Sequence, residues 1–173
     1  MPPPISGVKF CADSIWVGGN PWPHITGELM ELAWTERLSV GNAVIDSEHK
    51  ILLDMINDVE QAIRRRDSVA LPQVFKQLEN CVRIHFANEE TIARAIDFPF
   101  SHNKLEHQYV QKELQLMKEE LMARNGMWSE SAAEHYSYFL SEWMVEHILK
   151  EDMLMKPLLQ TYPYDFKPAA LGA

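Results

Sequence analysis

The chain has 173 residues, 46% hydrophobic and 24% charged, and a formal net charge of −9 from 16 basic and 25 acidic side chains. That size predicts one domain with a full core, and the acidic balance without a Lys/Arg-rich face argues against nucleic acid as the main partner. No apolar run approaches the ~20 residues of a bilayer span, Met1-Pro2-Pro3-Pro4 lacks the form of a secretory signal, and two cysteines, Cys11 and Cys81, are too few for a disulfide framework, so a cytoplasmic setting is expected.

Residues 1–44 read as an irregular arm. Pro2, Pro3, Pro4, Pro21, Pro23 and the pair Gly18-Gly19 break any periodicity. Trp16, Trp22 and Trp34 predict that the arm packs on the rest of the domain. His24 reads as a structural loop histidine. Residues 45–158 then carry four helical patterns. The first starts at Asp46, a good N-cap, and runs to Arg64-Arg65-Arg66, where cations suit the helix dipole. Its stripe is His49, Leu52, Leu53, Ile56, Val59 and Ile63.

The second pattern opens near Ser68, with Pro72 in its first turn. Its stripe is Phe75, Leu78, Val82, His85, Glu89 and Ile92, and Cys81 falls in it as a small buried residue. After a break at Asp97-Phe98-Pro99-Phe100, Ser101 is the expected cap of the third helix. This helix carries Asn103, His107, Val110, Leu114, Met117 and Leu121, and stops at Asn125-Gly126. The fourth starts around Ser129 and carries Tyr136, Phe139, Leu140, Trp143, His147 and Leu154, and Pro157 ends or kinks it. Residues 159–173 read as a tail or linker.

Long helices with one apolar face each, joined by short turns, predict an all-α up-down-up-down four-helix bundle. In that topology His49, near the start of the first helix, meets His85, late in the second. Asn103 and His107, early in the third, meet His147, late in the fourth. All fall at one end of the bundle and at similar depth. His85 and Glu89 stand four apart, as do Asn103 and His107, which puts each pair on one helix face. A plain bundle with hydrogen-bonded core histidines accounts for one inward imidazole, and unpaired His135 is read that way. Four at one level with two acids need something to satisfy them.

Imidazole and carboxylate together suit iron, manganese, zinc or copper rather than calcium or magnesium. Four histidines with Glu89 and Asp152 exceed one tetrahedral zinc and suit two metals bridged by the acids. A ferritin-like site needs Glu-x-x-His elements, and no histidine here has a glutamate three residues before it.

From about Trp34 to Leu158 the pattern resembles the hemerythrin family, bacteriohemerythrins in particular. The resemblance is carried by the lead-in Trp34, Gly41 and Ile45-Asp46-x-x-His49-Lys50, and by His85-Phe86-x-x-Glu89-Glu90. Phe98-Pro99 before the third helix and Trp143-x-x-x-His147-Ile148-x-x-x-Asp152 complete it. It implies two non-haem iron ions, oxo- or hydroxo-bridged, that bind O2 or another small diatomic or oxidant. Carried over by position, His49 and His85 hold the iron that accepts O2, His107 and His147 hold the other, and Glu89 and Asp152 bridge. The implied O2 pocket is Leu52, Phe86, Trp143, Met144 and Ile148.

One departure stands out. The family's His-x-x-x-His pair has Asn103 at its first position. His102 is the alternative, but it lies five residues before His107, about 140° around an ideal helix. Asparagine offers a weak or water-mediated ligand, which predicts a more readily oxidised centre. Together with the flanking segments, this favours an oxygen or redox sensor, the input module of a larger signalling protein with a fused or separate output domain. The alternatives are an O2 carrier or storage protein, or a di-iron enzyme handling peroxide or nitric oxide.

Overall fold

A computed structural model describes residues 31–171, so the expectations for Cys11, Trp16, Trp22, His24 and the prolines and glycines before them lie outside the described residues. Among the described residues four long helices form the fold: α1 (Ala43–Arg64), α2 (Ala70–Ala95), α3 (Ser101–Ala123) and α4 (Glu130–Glu146). No helix among them is long and apolar enough to cross a membrane.

The helix starts differ in detail from their sequence signals. Helix α1 begins three residues before Asp46, capped by Asn42, whose side chain accepts from the Val44 and Ile45 N–H groups at 3.0 and 3.3 Å. Asp46 instead reaches back from the first turn, accepting from the Val40 N–H at 2.8 Å and the Ser39 hydroxyl at 2.6 Å. Asparagine and aspartate cap equally well; the approach of Ser39 and Val40 decides between them. Asp67, accepting from Val69 and Ala70 N–H at 3.1 and 2.8 Å, delays α2 to Ala70. Ser101 is the first residue of α3 rather than its cap, and Phe100 holds the cap position without a side-chain bond. Ser129 does cap α4, accepting from the Ala132 N–H at 3.3 Å.

Helices α1, α2 and α3 all stop in the same way. Arg66, Asp97 and Asn125 take positive φ (51°, 56° and 56°), and the N–H after each returns to a carbonyl five residues back: Asp67 to Ala62, Phe98 to Ala93 and Gly126 to Leu121. Gly126 is itself at φ 84°, and a Cβ there would stand 2.3 Å from the Ser68 carbonyl oxygen. Gly126→Ala should therefore lower stability by at least about 2 kcal/mol, read as a drop in thermal midpoint with helical content kept.

The fourth helix does not break at Pro157. It leaves α geometry ten residues earlier, in a π turn over His147–Glu151 and a 3₁₀ turn over Asp152–Met155, and a short α5 (Lys156–Leu159) then takes Pro157 in its first turn.

Two apolar layers result. The larger runs through the body of the bundle and includes Leu52, Phe86, Val110, Leu140 and Ile148. The smaller, at one end, holds Val40, Ile45, Ile92, Ile96, Met155 and Leu159. Residues 161–171 are not a free tail: Tyr162, Phe166 and Leu171 pack on the smaller layer. The Ala43 N–H donates to the Tyr164 carbonyl at 2.8 Å, and the Asn42 amide donates to that of Phe166 at 2.9 Å. On the other flank, Leu32 exchanges two hydrogen bonds with the Asn57 side chain, at 2.9 and 2.8 Å. Trp34 packs on the core and lies under the Lys50 ammonium.

Candidate metal centre

The polar residues lie between the two apolar layers. On α1, His49 sits between Ile45 of the smaller layer and Leu52 of the larger. On α2, His85 and Glu89 sit between Val82 and Ile92, and beyond α4 Asp152 sits between Ile148 and Met155. The π turn explains the five-residue spacing of His147 and Asp152. On an α-helix they would diverge by about 140°; hydrogen bonds running i→i+5 bring Asp152 back beneath His147.

His49, His85, Glu89, Asn103, His107, His147 and Asp152 are all buried. One oxygen of Glu89 lies 3.2 Å from His107 Nε2 and 3.7 Å from both His85 Nε2 and His147 Nε2. One oxygen of Asp152 lies 2.9 Å from His49 Nε2 and 3.2 Å from His147 Nε2. Each carboxylate thus reaches histidines from more than one element. Ligand atoms fall into two overlapping groups, His49, His85, His147 and Asp152, and Glu89, His107 and His147, each within 4.8 Å.

Despite this closeness, both carboxylates and the Nε2 atoms of all four histidines are buried without a hydrogen-bond partner. Leaving so many polar atoms unsatisfied costs about 1–3 kcal/mol apiece. Close as they are, these atoms do not have the geometry to hydrogen-bond one another. Two ligands at about 2.1 Å from a metal, at right angles, stand about 3.0 Å apart, which is the spacing seen at Asp152. The donor set fits a metal pair.

Burial, then the neighbouring His85 and His147, pushes His49 well below the usual imidazole value; burial also lowers His147. Burial, then the negative charge of Glu89, drives Asp152 well above the usual carboxyl range. Burial acts on Glu89 in the same sense, but His107 and His147 outweigh it and hold that carboxylate well below the range.

Glu48 is a residue that the sequence reading passed over. Its Oε2 stands 3.0 Å from His85 Nδ1, and its Oε1 accepts from the Asn88 amide. Donation from Nδ1–H leaves Nε2 of His85 unprotonated and facing the cluster. Its place directly before His49, one turn from the α1 start, was the available signal. Glu48→Leu should weaken metal binding about 10- to 100-fold, measured by competition with a chelator.

Asn103 is 2% exposed, with its amide nitrogen unpartnered, whereas the His102 side chain is 65% exposed and pairs with Glu151 at 3.3 Å. The five expected pocket residues gather on the larger layer beside the histidines. Phe86 stacks on His107 with centroids 3.6 Å apart and planes 3° from parallel, and Trp143 stacks on His147 at 5.8 Å.

A four-helix bundle holding this buried cluster is a domain able to bind a pair of metal ions. The family model described as the Hemerythrin HHE cation binding domain matches residues 40–159, and the chain belongs to the hemerythrin family. It is similar to the Bacteriohemerythrin of Pseudomonas aeruginosa, 27% identical over 126 residues, which cover 72% of this chain and 78% of that one. The Hemerythrin-like protein of Naegleria gruberi is 29% identical over 128 residues, covering 73% and 92%. A crystal structure of wild-type hemerythrin has the same fold, with a TM-score of 0.66 at 23% identity, over 74% of this chain and 97% of that one. This is a di-iron domain in a four-helix bundle.

Proposed function

We propose that this chain is an O2-binding di-iron domain that acts as an oxygen or redox sensor and passes its state to a fused or separate output domain. His49 and His85 would hold the iron open to O2, His107 and His147 would hold the other, and Glu89 and Asp152 would supply carboxylate ligands shared between them. Asn103, not His102, takes the remaining position as a weak or water-mediated ligand. The iron pair, when bound, supplies reversible electron transfer to O2 and O2 coordination. The chain's own residues do the rest. Glu48 fixes the His85 ring, while Leu52, Phe86, Trp143, Met144 and Ile148 exclude water and admit a small neutral gas.

The observation that carries the sensor reading is the run from Asp152 through Met155 and Leu159 to the packed C-terminal segment. Asp152 lies on a π-to-3₁₀ junction, and three residues on, Met155 enters the smaller layer that Tyr162 and Phe166 cover. A ligand carried on irregular backbone and wedged against a packed flank can bias that flank, as a sensor requires. Hydrogen exchange of the diferrous and diferric proteins tests this. The expected result is a change in protection at the Ala43 N–H and across residues 161–171. Equal protection in both states, with a long-lived O2 adduct, would support a carrier. Repeated turnover of peroxide or nitric oxide would support an enzyme.

A further inference from the structure

The seam between α3 and α4 carries aromatic rings. Large rings span it: Tyr109 on α3 meets Phe139 on α4 with centroids 6.4 Å apart, and Trp143 follows Phe139 one turn along α4. Trp143 is itself half-buried and stacks on the inner ring of His147. A series of aromatic groups therefore leads from the surface to the metal cluster. On α3 the outer stripe carries Leu105, Tyr109 and Leu116 at 64%, 49% and 46% exposure, with Lys112 and Glu113 between the last two.

Four carboxylates, Glu106, Glu113, Glu142 and Glu146, flank these rings, against Lys112 on the same stripe and Lys150, which pairs with Glu146. Burial, then Glu113 and Glu106, raises the Tyr109 phenol. Glu142 accepts from the Tyr138 hydroxyl at 2.7 Å and lies one turn from Phe139, while Glu146 lies one turn from Trp143. An apolar, aromatic centre with an acidic rim is the complement of a basic partner. A second copy of this chain does not fit, because it would bring like carboxylates together on a molecule of net charge −9.

We infer that the α3–α4 seam is the docking face for a positively charged one-electron donor protein, with Trp143 as the relay to the iron pair. Each docking event passes one electron from the donor to one ferric ion, so two events return a diferric centre to diferrous. The inference rests on His147 being an iron ligand.

The test begins from the iron-loaded diferric protein, reduced either by hexaammineruthenium(II), a cationic outer-sphere reagent, or by dithionite, an anionic one. Reduction by the cation should slow steeply with added salt. Glu113→Lys with Glu142→Lys should slow it about tenfold and remove the salt dependence, with iron content and the diferric spectrum unchanged and dithionite reduction not slowed. Trp143→Leu should slow both reagents. A redox-silent readout comes from the zinc-loaded protein: amide shifts on adding a basic c-type cytochrome should fall on residues 105–116 and 139–146. Equal rates in the charge-reversed protein, an unaltered rate in Trp143→Leu, shifts elsewhere, or a dimer through this seam would each overturn the inference. Failure of the unaltered protein to hold two irons would instead overturn the ligand assignment.

Discussion

Glu89→Gln should leave the protein with on the order of one iron per chain or fewer after purification in the presence of iron, with a loss of near-ultraviolet and visible diferric bands. The carboxylate is completely buried and one of its oxygens lies within 3.7 Å of three imidazole nitrogens. An amide keeps the shape but removes the negative charge and substitutes an N–H donor for one oxygen. Either orientation then fails: the weak carbonyl oxygen faces the metals, or the NH₂ group does. Metal analysis and absorption spectroscopy measure the result, and unchanged circular dichroism separates ligand loss from unfolding. Two irons retained at normal affinity would remove Glu89 from the bridge.

Asn103→His should lengthen the lifetime of the O2 adduct and raise iron affinity by about tenfold. The asparagine is buried, its amide nitrogen is unpartnered, and it lies one turn before His107 on the same face, so an imidazole there adds a strong neutral donor where a weak one now stands. Filling that position lowers the exchangeability of the second iron. Space is limited, because the His107 ring is stacked on Phe86 and has Phe100 at 5.3 Å. Overpacking could cost about 1–3 kcal/mol, visible as a lower melting point in the metal-free protein. Stopped-flow mixing of the diferrous protein with oxygenated buffer reads the lifetime directly. His102→Ala is the comparison and should leave the lifetime unchanged, since that ring faces outward to Glu151. If both variants behave like the unaltered protein, Asn103 does not set the lifetime.

Much of the site was legible because helix periodicity and ligand spacing are local. His85 with Glu89 and Asn103 with His107 stand four apart, and that alone places each pair on one face. Alternating helix direction then brings the ends carrying them together, and the buried layer formed by His49, His85, Glu89, His107, His147 and Asp152 follows. The burial of Asn103 and the exposure of His102 follow the apolar stripe: Asn103 is in register with Val110 and Leu114, and His102 is not.

Other features depend on neighbours distant in the chain. Asn42 and Asp46 are near-equal caps by propensity, and only the approach of Ser39 and Val40 shows which one begins α1. Glu48 became a partner of His85 because α1 and α2 pack with those residues opposed, 37 positions apart in sequence. Residues 161–171, aromatic and proline-bearing, carry no periodicity that predicts their return over the α1 start, and that contact exists only because Met155 and Leu159 build an apolar layer for Tyr162 and Phe166 to cover. The π turn was visible in sequence only as an odd spacing of five. The sequence by itself determined the four helices, most of their inward faces and the buried polar residues of the cluster, though not exposed Leu154 or buried Asn42 and Asp46, since hydrophobic burial acts on a repeating pattern. The tertiary structure decided the caps, the His85 partner, the turn beneath His147 and the packing of the C-terminal segment, since each depends on groups that share no local pattern and meet only in the folded chain.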